Sequence, residues 1–198
     1  MMKKKEDPIF SEKDQEIIAV GASVASGCLP CTKFHLRAAA GVGAGEEEIL
    51  QAVGDAARVR RAATELMVRA GGLPSADAVQ ASPDPVGAPS LIREFVAIAA
   101  AYAVNCSTSL GEHMTSARSL GATDGQMFAA IQIACAIRDV ACQKAKATAG
   151  AILGVSEEEA VSCGCGNDDA TQKAPGTGDG GCHCRPSDTE GPNHPDQI

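Results

Sequence analysis

Apolar residues along this chain recur at helical spacing, and the breaks between runs carry capping and turn residues. Ser11 is a good N-cap with Asp14 three residues later, which predicts a helix from about Glu12 to Gly27. Pro30 suits the first turn of a second helix, which carries Cys31 and His35 and ends near Gly41 and Gly43. Glu46-Glu47-Glu48 opens a long helix to about Arg69, with three acids at the positive end of its dipole. Prolines 74, 83, 85 and 89 then interrupt any periodicity. The pattern restarts with a helix over Leu91–Asn105 and a short one ending near Leu120-Gly121. Thr123-Asp124-Gly125-Gln126 reads as a capping box for a helix to about Ala149, and Ser156-Glu157-Glu158-Glu159 caps a last short one.

The restart is an internal repeat offset by 78 residues. Glu16 aligns with Glu94, Cys28 with Cys106, His35 with His113, Gly43-Ala44 with Gly121-Ala122 and Arg60 with Arg138. One position breaks the correspondence: Cys31 becomes Ser109. The organisation expected is an N-terminal tail over 1–10, a first repeat with a complete site over 11–72, and a linker over 73–90. A second, degenerate repeat follows over 91–162, and then a disordered cysteine-rich tail over 163–198. From Cys163 on, the only Ile, Leu, Val or Phe is Ile198, too little apolar surface to offset the entropy of ordering.

Composition narrows the function classes. Hydrophobic residues make up 44% of the chain but aromatics only 3%, which suits small side chains between closely packed helices. The formal charge of −8 and the absence of a basic stripe exclude nucleic acid as a partner. No apolar run approaches the roughly 18 residues of a membrane span, and the net-negative segment before Ile17 is unlike a secretory signal. A cytoplasmic protein with no membrane partner is expected. Nine cysteines, an odd number without secretory context, point to redox or metal chemistry over a structural disulfide framework.

The segment Cys28-Leu29-Pro30-Cys31-Thr32-Lys33-Phe34-His35 concentrates that chemistry. Two cysteines three apart at a helix start can close a disulfide. Such sites lower a thiol pKa from about 8.5 to between roughly 3.5 and 7.5. His35 lies one turn beyond Cys31 on the same face and is placed to take its proton; Cys28 is the alternative attacking thiol. Glu16 would orient the imidazole if its helix packs antiparallel, completing the nucleophile–base–orienter arrangement. Three zinc ligands, or two core cysteines, are the competing readings of the motif.

Glu16, Cys28-Leu-Pro-Cys31 and His35, at spacings of twelve, three and four, resemble the signature of AhpD-like proteins in the carboxymuconolactone decarboxylase superfamily. The resemblance covers about residues 11–150. It implies an all-α fold of two repeats of about three helices each, and homo-oligomers, trimers or hexamers. It also implies a thiol peroxidase or disulfide reductase, run by the cysteine pair with a Glu–His proton relay. No cofactor is then required, and the partners are a peroxide or disulfide substrate and a thiol reductant protein. A decarboxylase or related lactone enzyme using His35 or His113 is the alternative within the superfamily.

Glu94, Cys106 and His113, with Ser109, form either a vestige kept for packing or a single-thiol site activated by His113. Cys135 and Cys142, seven apart on one helix, read as small buried hydrophobes. In the tail, Cys163, Cys165, Cys182, His183 and Cys184 are dense enough to bind a soft metal or metalloid ion, or to shuttle electrons to the Cys28–Cys31 pair. A metal-binding oligomer built on that tail is the second alternative function.

Overall fold

The computed structural model describes residues 9–72 and 89–154. These form six helices: α1 (Glu12–Ser26), α2 (Leu29–Gly41), α3 (Glu46–Ala70), α4 (Leu91–Ala103), α5 (Ser107–Ser119) and α6 (Asp124–Leu153). The all-α expectation holds, with three helices to each repeat. The tail cysteines, His183, the helix expected from Ser156 and most of the 73–90 linker lie outside the described residues. One compact unit ends at Ala145; the last turns of α6 belong to a second unit.

The caps form as the sequence requires. The Asp14 amide donates to Ser11 Oγ at 3.1 Å, and Gln126 and Thr123 exchange the two bonds of a capping box at 3.2 and 3.0 Å. Glu48 accepts from the Gly45 amide and from Lys13 Nζ, both at 2.8 Å, so the start of α3 is tied to α1.

At the centre lie α1 and α4, each buried along most of its length. Alanines and Gly21 let them close on one another: a Cβ on Gly21 would meet Val96 Cγ1 at 2.6 Å. Ile18, Val20, Val96, Ile98 and Met127 are fully buried, each large apolar side chain stabilising the fold by roughly 1.5–3 kcal/mol. Helices α2 and α3 pack on α1, while α5 and α3 pack on α4. Met127, Ala130, Ala134 and Ile137 bring α6 into the same core.

The repeat is carried into backbone detail. Gly27 (φ 73°) ends α1, and Asn105 (φ 57°), 78 positions on, takes the left-handed conformation after α4. Asn105 therefore lies outside α4, which stops two residues earlier than the apolar pattern suggested. Helix α6 instead runs beyond Ala149 to Leu153, because the left-handed residue that stops it is Gly154. The aligned arginines share a role: Arg60 Nη1 donates to the Val24 and Ala25 carbonyls at 3.4 Å, and Arg138 Nη1 to the Tyr102 carbonyl at 3.5 Å. Each satisfies carbonyls at the end of the helix that leads into a cysteine turn. Cys142 is exposed and Cys135 only half-buried, contrary to the buried pair expected. The core face of α6 is set by Met127, Ala130, Ala134 and Ile137, and the cysteines fall beside it.

Candidate active sites

Cys28 ends the turn after α1 in an extended conformation (φ −84°, ψ 94°) and caps α2, its Sγ accepting from the Cys31 amide at 3.3 Å. Pro30 occupies the first turn of α2, where no amide proton is needed. This local geometry sets the Cα atoms of Cys28 and Cys31 5.3 Å apart, and the two are joined by a disulfide. Both cysteines are buried.

His35, one turn up α2 from Cys31, has Nδ1 2.8 Å from Glu16 Oε2 across the α1–α2 contact. A carboxylate can only accept, so Nδ1 carries the proton and Nε2 is left as the basic nitrogen. The Phe34 ring stands edge-on to the imidazole, with centroids 5.0 Å apart. Glu16, Cys31, Phe34 and His35 line a pocket of about 630 Å³, whereas Cys28 is not among its lining residues.

The second repeat rebuilds the same frame. His113 Nδ1 lies 2.8 Å from Glu94 Oε2, and Cys106 begins α5 with nearly the torsions of Cys28 (φ −96°, ψ 93°). Cys106 Sγ donates to Ser109 Oγ at 3.2 Å. Glu94, Ser109 and His113 line a pocket of about 310 Å³.

Each pocket is walled by the third helix of the other repeat. Ile133, Ala136, Ile137 and Val140 of α6 close the first site. Asp55, Arg58, Val59 and Ala62 of α3, the residues 78 positions earlier, close the second. The walls differ in character. Where the first site has Ile133, Ala136, Gln15 and Phe34, the second has Asp55, Arg58, Arg93 and Glu112. Asp55 is buried and accepts from Arg93 Nε and Nη2, both at 3.0 Å, and from Arg58. Burial pushes the Arg58 guanidinium below its ordinary pKa, aided by repulsion from Arg93 and Arg61.

The motif positions expected from the sequence thus meet in two places, one with a sulfur pair and one without. The walls were missed. Their signal was the register of α3, where the charged Asp55 shares a buried face with Ala52, Ala56 and Val59. Among the described residues no group of three or more His, Cys, Asp or Glu is placed to hold a metal, and no helix is long and apolar enough to cross a membrane.

Residues 2–70 match the model of the carboxymuconolactone decarboxylase family, a span that holds Glu16, Cys28, Cys31 and His35. No curated protein matches the chain.

Proposed function

We propose, from a first repeat that matches the model of the carboxymuconolactone decarboxylase family, that this protein is a thiol peroxidase of AhpD-like type acting on organic hydroperoxides. The observation that carries this reading is the Cys28–Cys31 disulfide at the start of the helix whose next turn presents His35, held by Glu16. A decarboxylase needs no such sulfur pair.

In the reduced enzyme His35 Nε2 takes the Cys31 proton, and the helix start stabilises the thiolate. The thiolate attacks the distal oxygen of the hydroperoxide. The O–O bond breaks, an S–O bond forms, and the leaving alkoxide takes a proton from His35, giving an alcohol and a Cys31 sulfenic acid. The Cys28 thiol then displaces hydroxide, which departs as water, and closes the Cys28–Cys31 disulfide. A dithiol reductant resets the pair by exchange, itself becoming a disulfide. Cys31 is the attacking thiol because it shares the pocket with His35 and Glu16. The wall of Phe34, Ile133, Ile137 and Val140 favours an alkyl or aryl group on the peroxide.

The test is consumption of cumene hydroperoxide and of hydrogen peroxide by the full chain with a dithiol reductant. The aryl peroxide should be preferred, and turnover should vanish in Cys31→Ser. Turnover that survives the Cys28→Ser/Cys31→Ser double variant would overturn the thiol mechanism.

A further inference from the structure

The second pocket keeps the Glu–His pair and the cysteine turn of the first, with a serine at the reacting position. A remnant retained for packing has no need of a Glu94–His113 bond as short as the Glu16–His35 one, 2.8 Å in each. It has still less need of a pocket lined by both partners. The residue that takes the place of Cys31 is a serine, and it lines that pocket together with His113, one turn on. Its hydroxyl oxygen accepts from the Cys106 thiol at 3.2 Å, which directs its own O–H away from Cys106. His113, with Nδ1–H given to Glu94, presents Nε2.

We propose that Ser109, His113 and Glu94 form a second, sulfur-independent active site, a serine acyl-transfer centre for small esters or thioesters that carry a carboxylate. Ser109 is the nucleophile and His113 the general base, while Glu94 positions His113. Cys106 is a hydrogen-bond donor to the nucleophile.

The charge of the wall supplies the substrate class. Arg58 and Arg93 line the pocket and share one buried carboxylate, Asp55. Arg61 stands close enough to repel Arg58, and its buried Nη2 has no hydrogen-bond partner among the described residues. Two guanidiniums on one buried aspartate, with the other wall carboxylate, Glu112, exposed to solvent, favour an anionic group on the substrate. Cys106 makes no side-chain cap in α5, whereas Cys28 Sγ occupies the Cys31 amide in α2, so the first-turn amides of α5 stay open to a developing oxyanion.

The reaction balances without an oxidant. Ser109 Oγ bonds to the acyl carbon as its proton passes to His113 Nε2. The bond to the leaving alcohol or thiol breaks, and that group takes the proton. Water then attacks the acyl-serine through the same base. An acid is released and the proton returns to Ser109. This centre is independent of the thiol chemistry of the first site.

The test uses full-length protein with Cys28→Ala/Cys31→Ala as background, so that the first site offers neither a thiol nor a hydroxyl to be acylated. A fluorophosphonate probe is mapped by peptide mass spectrometry, and hydrolysis of mono-4-nitrophenyl succinate is compared with that of 4-nitrophenyl acetate. The label should fall on Ser109, and the succinyl ester should be preferred. Ser109→Ala and His113→Gln, with folding checked by thermal melting, should each lower kcat/KM at least about 100-fold. Arg58→Gln should raise KM for the succinyl ester alone. Unchanged turnover in Ser109→Ala, a label on another residue, or equal use of the two esters overturns the assignment.

Discussion

Glu16 and His35, nineteen residues apart in sequence, meet across the α1–α2 contact at 2.8 Å, and the same bond recurs between Glu94 and His113. The carboxylate fixes the tautomer of each imidazole and so decides which nitrogen faces the chemistry. Replacing His35 by Asn should lower hydroperoxide turnover at least about 100-fold at neutral pH. Glu16→Gln should cost less, because the amide oxygen can still accept from Nδ1–H. Steady-state rates across pH check this: in His35→Asn the lost rate should return as the pH rises and hydroxide ionises the thiol.

The turn into α5 already has the backbone of a dithiol site. Cys106 matches the torsions of Cys28, and only the partner sulfur is missing. The Ser109→Cys variant should therefore oxidise, joining Cys106 to the introduced thiol with little change in melting temperature. Thiol titration before and after mild oxidation, with peptide mapping, measures it. An introduced thiol that stays reduced while Cys28–Cys31 closes would show that the two turns are not equivalent.

Asp55 carries two guanidiniums from a buried position. Removing it leaves Arg93 and Arg58 without their shared counter-charge, which costs about 3–5 kcal/mol where a buried pair loses one partner. Asp55→Ala should show that loss in urea unfolding. Arg93→Met, which removes a charge along with its desolvation cost, should be milder.

A smaller effect follows acid. The Glu48 carboxyl is held below its ordinary value of 4.5 by the hydrogen bond from Lys13 first and the Gly45 amide second. Stability from a depressed carboxylate is present above the unfolded value and is lost as pH falls through the folded one. Glu48→Gln should thus lower the melting temperature at neutral pH, and the difference should close in acid. A difference that persists there would assign the effect to packing.

Much of this fold was legible in local chemistry. Ser11, Pro30, the Glu46 cluster and Thr123 mark helix starts that need little tertiary help. The Glu–His pairing was legible because a 78-residue repeat doubled it. Helix ends were less so: Asn105 and Gly154 decide them through backbone conformation, which apolar periodicity does not register. The exchange of α3 and α6 between repeats was not legible at all. It depends on how α1 and α4 cross at Gly21 and Val96, a long-range contact without a local signature. For that reason the apolar wall of one site and the arginine wall of the other emerged only in three dimensions.

The central claim is that Cys31, beside His35, is the thiol that meets the peroxide and that Cys28 resolves it. Its most direct measurement is mass spectrometry of the reduced Cys28→Ser protein after one equivalent of cumene hydroperoxide, with a sulfenic-acid trap present. The trap should be found on Cys31, with one peroxide consumed and no further turnover. An unmodified Cys31 in protein that has consumed the peroxide would contradict the claim.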